Sequence, residues 1–123
     1  MTRTFPGRKH LVCLLLAGTC ALGAGCGKKV EVPKNSSTAF NSAKPELQQV
    51  WNAAVTASQK NDYLGATTNL LAVRAQSAAL TPEQSAALED LWAAVGVKAF
   101  AAAEKGDAKA LEAVKAARSI QGR

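Results

Sequence analysis

A short apolar run, followed by small residues up to Cys26, decides how much of this 123-residue chain is available to fold. Arg3, Arg8 and Lys9 lead into Leu11-Val-Cys-Leu-Leu-Leu16, and small residues, Leu22-Gly-Ala-Gly25, run up to the cysteine. Charge, then a brief apolar stretch, then small residues is the order of a secretory signal segment. The run Leu11–Leu22 has 12 residues. At about 1.5 Å per residue it reaches roughly 18 Å, short of the about 30 Å of a bilayer's hydrocarbon. Cleavage before Cys26 leaves 98 residues, enough for one domain at most.

The same cut removes most of the reactive side chains. Cys13, Cys20 and the sole histidine, His10, all precede Cys26. The remaining chain has no pair of thiols for an internal disulfide, although export would permit one. It also lacks imidazole and free thiolate, the usual zinc ligands and the commonest general base. Three of the fifteen Lys/Arg leave with the signal and all nine Asp/Glu stay, so the net charge falls from +6 to +3. That is far short of a nucleic-acid footprint, and no basic cluster is interleaved with aromatics.

The segment Leu22-Gly-Ala-Gly-Cys26 resembles the lipobox of bacterial lipoproteins. Gly23 stands where that family prefers Leu, and Leu22 lies one step earlier. The resemblance implies that the Cys26 thiol carries a diacylglycerol, that a dedicated peptidase cuts before it, and that the new amine is acylated too. Two or three chains hold a protein firmly at about 0.8 kcal/mol per buried methylene. Cys20, ordinary cleavage near Gly23 or Gly25, and an uncleaved anchor are the alternatives. In enteric members of the family an Asp after the cysteine retains the protein in the inner membrane. Gly27 in that place implies the outer membrane, facing the periplasm. No cofactor is expected beyond the covalent lipid.

Residues 26–44 read as the acylated cysteine and a flexible tether. Lys28, Lys29, Pro33, Lys34, Asn35, Ser36, Ser37, Asn41 and Ser42 crowd there without periodicity. As a coil, such a segment spans roughly 25 Å.

From Pro45 to about residue 120 the chain reads as helix, rich in alanine. Leu47, Val50, Trp51, Ala54 and Ser58 make one stripe from Pro45 to the Lys60-Asn61 stop. Asp62 caps a second helix, with Tyr63, Ala66, Leu70, Val73, Ser77 and Leu80 inward. Thr81-Pro-Glu-Gln84 is a capping box opening a third helix that ends at Gly106, with Leu88, Leu91, Trp92, Val95, Ala99 and Ala102 inward. Asp107 caps the fourth, with Leu111 and Val114 buried and Arg118 near its negative end. Lys109–Glu112 and Glu112–Lys115 are spaced to pair. The fold class expected is all-α, two αα-hairpins.

The hairpins repeat. Leu47-Gln-Gln-Val-Trp51 answers Leu88-Glu-Asp-Leu-Trp92, and Lys60-Asn-Asp62 answers Lys105-Gly-Asp107. The two tryptophans are expected to fill equivalent core places. Over Val50 to about Ala79 the first hairpin resembles a tetratricopeptide-type repeat: Ala54 as the small residue, Asn61-Asp-Tyr63 as the turn, then Ala66 and Leu70. The resemblance implies a repeat-like pair or a small bundle. Ala108 stands in place of the Tyr in the second hairpin.

No catalytic or metal-binding residue emerges. Asp62 and Asp107 are occupied as caps, Glu89 and Asp90 point about 100° apart on a helix, and no serine or glycine-rich motif carries chemistry. Phe100 lies off the main stripe of the long third helix, as a possible partner contact beside Ala101 and Ala103. The reading is a non-enzymatic interaction module held to the envelope membrane by its lipid. It would bind another envelope protein or itself, with no nucleic acid or small-molecule substrate evident. The alternative is a spacer lipoprotein that associates with the cell wall.

Overall fold

Termination signals cut the helical run into four pieces. The computed structural model describes residues 29–122, which form α1 (Pro45–Gln59), α2 (Tyr63–Arg74), α3 (Pro82–Glu104) and α4 (Ala108–Gln121). Short 3-10 turns at Lys34–Ser37 and Ser77–Ala79 complete the order, and no strand occurs among the described residues. The protein is all-α. The signal segment and Cys26 lie outside the described residues. Among the described residues no helix is long and apolar enough to cross a membrane.

The two hairpin bends are the same device. Asn61 (φ 57°) and Gly106 (φ 95°) take the left-handed position just past a helix end. Around the first, Asn61 N–H donates to Ser58 O (3.1 Å) and Asp62 N–H to Ala57 O (2.9 Å). Around the second, Gly106 N–H donates to Ala103 O (3.0 Å) and Asp107 N–H to Ala102 O (3.1 Å). Both are Schellman closures that satisfy the last carbonyls of a helix. Each aspartate then starts the next helix: Asp62 Oδ1 accepts from Gly65 N–H and Asp107 Oδ1 from Ala110 N–H, both at 3.0 Å. Gly65 leaves room for the first of these caps, since a Cβ there would collide with the Asp62 carboxylate.

The Thr81 capping box closes on both sides. Gln84 N–H donates to Thr81 Oγ1 (3.2 Å), and Thr81 N–H donates to Gln84 Oε1 (3.0 Å). Helix α2 is the centre of the bundle and packs against the other three. Its buried residues, Tyr63, Ala66, Thr67, Leu70 and Val73, meet Leu47, Trp51 and Ala54 of α1 and Leu88, Leu91, Val95 and Ala99 of α3 in one core. Ser58 is buried too, its hydroxyl donating to Ala54 O at 2.7 Å.

The described part of the expected tether is not a tether. From Val30 onward the chain lies on the bundle as a strap. Val30 and Phe40 are 3% and 1% exposed, and Ser36 is buried between them. The Phe40 ring stacks on Trp51, centroids 4.1 Å apart and planes 16° from parallel. Trp51 Nε1–H donates to Ser36 O at 2.9 Å. Gln84 Nε2–H donates to Ala39 O at 3.2 Å, so the side chain that completes the capping box also pins the strap. Gln48 Nε2–H reaches Phe40 O (3.3 Å) and Asn41 O (3.2 Å). The physical reason is the indole: an uncovered Trp51 would leave a large apolar ring in water and its N–H without a protein acceptor.

Three expectations inside the helices also change. Helix α2 stops at Arg74, so Ser77 falls in the connector and is exposed, and Leu80 is half-buried. Helix α4 is turned by about one residue, burying Ala110 and Ala113 while Leu111 is 44% exposed and Val114 half-buried. It packs against both α2 and α3, and small residues at the contact let three helices approach closely. Trp92 is half-buried where Trp51 is fully buried, because the strap's Phe40 stacks on Trp51. In place of a phenyl ring, the Arg74 guanidinium lies 5.3 Å from the Trp92 ring centre and 3.4 Å from Glu89. Of the two expected ion pairs on α4, Glu112–Lys115 forms at 3.1 Å.

Tyr63 links the hairpins. Burial, and then the nearby Asp107 carboxylate, push its hydroxyl above the usual 10.0. Its contribution to stability is complete below that value and is lost as the pH rises through the higher folded-state value. Tyr63 is the sole tyrosine, so tyrosinate absorbance should titrate above pH 10 in the folded protein, and Tyr63→Phe should flatten the alkaline loss of stability there. Phe40→Ala should lower the unfolding free energy in urea by about 3–5 kcal/mol. Asn35→Ala, on the exposed side of the strap, should stay within about 0.5 kcal/mol.

Candidate functional site: an apolar groove between α3 and α4

The second hairpin is held open along one side. On α3, Trp92, Val95, Gly96, Ala99 and Phe100 recur at helical spacing along a single face. On α4, Ala113, Val114, Ala117, Arg118 and Gln121 do the same. The buried Thr67 of α2 lies beneath them. Between the two faces is a groove of about 120 Å³. Small side chains make it: Gly96, Ala99, Ala113 and Ala117 leave a trough that leucines would fill. A Cβ added at Gly96 would meet nothing within 4 Å.

The size limits what the groove can hold. Sites for drug-sized ligands occupy about 300–1,000 Å³, and an apolar cavity of about 150 Å³ accepts a benzene ring. A groove of 120 Å³ fits one inserted side chain. Its chemistry is equally narrow. The lining carries no carboxylate, and its one charged residue is Arg118, at the exposed end of α4. Arg74, stacked over Trp92, puts a second guanidinium beside the same residue. Its pairing with Glu89 is solvent-exposed and contributes little. The arrangement suits an apolar group with an acidic neighbour.

Phe100 stands on the wall of this groove, 47% exposed. Asp62, Thr81 and Asp107 lie at helix starts and accept backbone N–H groups there. Cys26 lies outside the described residues. No group of three or more His, Cys, Asp or Glu side chains converges among the described residues. Sequence reasoning did not bring out Gly96 as a lining residue, nor Trp92 and Arg118 as members of one site with Phe100. The readable signal was the pairing of Gly96/Ala99 with Ala113/Ala117, small residues at matching intervals on helices that must face each other across a tight bend.

Compared with protein-family models, curated proteins and solved structures, the chain matches none, so a functional reading rests on its own geometry. Because Gly96 sits mid-helix and its Cβ would meet open space, Gly96→Ala should raise stability by about 1 kcal/mol in denaturant unfolding. Gly96→Leu should fold equally well and leave the groove filled. A loss of stability in either would contradict the open groove.

Proposed function

We propose that this chain is a non-enzymatic lipoprotein of the bacterial envelope whose α3–α4 groove receives an apolar side chain of a protein partner. The anchor is the acylated Cys26. The membrane is the outer one, with the helical domain on its periplasmic side. The partner is a second envelope protein or a second copy of this chain.

The observation that carries the binding reading is the groove itself: room for one side chain, apolar walls, Phe100 exposed at its edge and Arg118 in its lining. A half-exposed phenylalanine beside a pocket of that size is the kind of place where a buried anchor residue concentrates binding energy. The strap disfavours the spacer reading. With Val30 packed on the bundle, three residues, Gly27, Lys28 and Lys29, remain between the anchor and the packed strap, too few to reach the cell wall.

Labelled palmitate should enter the wild-type protein and not Cys26→Ala; incorporation into both would remove the anchor. A photo-crosslinking residue at Phe100 should give one discrete adduct in intact cells, while the same group at the exposed Thr56 of α1 gives none. Gly96→Leu should reduce the Phe100 adduct by roughly tenfold or more, the effect of losing about 1.4 kcal/mol of binding. Sedimentation of the purified protein distinguishes a second copy from a different partner.

A further inference from the structure

The strap runs antiparallel to α3. Asn35, Thr38 and Ser42 border a shallow depression with Glu83, Ala87 and Asp90, near the start of that helix. Farther back along the chain, Glu31 shares another with Ala93, Ala94, Val97 and Lys98. Travelling toward its N-terminus, the strap therefore climbs α3, and its described part ends near Val97. Val30 is 3% exposed and pins that end of the strap.

From Val30 back to Cys26 is four residue steps, through Gly27, Lys28 and Lys29. Fully extended, they reach at most about 14 Å. A single helix with its side chains is about 10–12 Å thick. On the anchor reading proposed above, on which this step rests, the leash keeps the domain within about one helix thickness of the bilayer. The surface around Val30 and Val97 is then the part of the described protein brought nearest to the headgroups.

That surface has a matching composition. Val97 is 70% exposed, the most exposed large apolar side chain of the described protein. Ala93 and Ala101, one turn to either side, are exposed as well. Lys98 borders the same depression, and Lys29, exposed, immediately precedes Val30. Glu31 is the single acid beside them in that depression. Apolar side chains at the centre with lysines around them, whose stems lie along the surface while their heads reach phosphate, suit a shallow contact with anionic lipid.

We infer that the α3 face centred on Val97 lies directly on the lipid surface, held there by the three-residue leash to Cys26. The α3–α4 groove, on another face of the same helix, then opens beside the membrane and takes a partner at the bilayer surface.

The test uses the full acylated protein in vesicles of phosphatidylethanolamine and phosphatidylglycerol. The processed chain has no cysteine besides Cys26, whose sulfur the lipid blocks, so Val97→Cys and Thr56→Cys each take one fluorophore. The label at 97 should be quenched by lipids spin-labelled near the headgroup and be several-fold less accessible to aqueous iodide than the label at 56. Inserting about ten Gly/Ser residues after Lys28 should restore iodide access at 97, because the leash then spans tens of ångströms. Val97→Asp, a change at an exposed position, should weaken quenching of a label at Ala93→Cys. Equal iodide access at 97 and 56 in protein shown by mass spectrometry to be acylated overturns this inference and leaves the anchor reading standing. Shielding of 97 that persists in unacylated Cys26→Ser protein in solution overturns it in favour of a protein cover. A product with no acyl chain overturns the anchor and this inference together.

Discussion

The stack of Phe40 on Trp51 is the contact on which the rest of the molecule's layout depends. The ring pair is buried, and the indole N–H beneath it is satisfied by a carbonyl of the same incoming segment. One residue on α1 thus fixes a loop of 15 residues in sequence separation. Through Gln84 the same segment is tied to the start of α3, so the strap bridges the two hairpins. A small alanine-rich bundle buries little area per residue. Here the missing area comes from residues outside the helices, and the packed domain extends back from Pro45 at least as far as Val30.

The two hairpins share a plan and differ in what covers them. At the first, the strap closes over the tryptophan. At the second, the equivalent tryptophan keeps one side half-open under an arginine, and the next turns of α3 border the groove. The asymmetry separates a finished hairpin, which supplies stability, from an unfinished one, which retains an accessible apolar trough. The central helix α2 belongs to both, burying Leu70 and Val73 in the common core and placing Thr67 under the groove.

What was legible in the chain was what is locally determined. The Thr81 box, the left-handed Asn61 and Gly106, and the caps at Asp62 and Asp107 follow from backbone chemistry within four or five residues, and all form where those residues stand. The strap was illegible because Val30 and Phe40 follow no period and sit among lysines, serines and prolines, which is the composition of a linker. Only the distant Trp51 gives them a reason to be buried. The roll of α4 was illegible for a different cause. Alanine outnumbers leucine on that helix, and the contact with α2 and α3 selects for smallness rather than hydrophobicity, so the stripe of largest residues pointed to the wrong face. The groove is a property of two facing helices, and Phe100 alone hinted at it.

The fused bends carry one more consequence. In each, a single aspartate closes the preceding helix with its amide and opens the following one with its carboxylate, so the residues between helices are reduced to almost nothing. An added or deleted residue at either corner would undo two helix ends at once. The stretch from Ala75 to Leu80, held by a few local backbone bonds around a brief 3-10 turn, has no such double duty. An inserted residue is therefore accommodated most cheaply midway along the molecule, at the joint between hairpins, and at greatest cost in the corners within them.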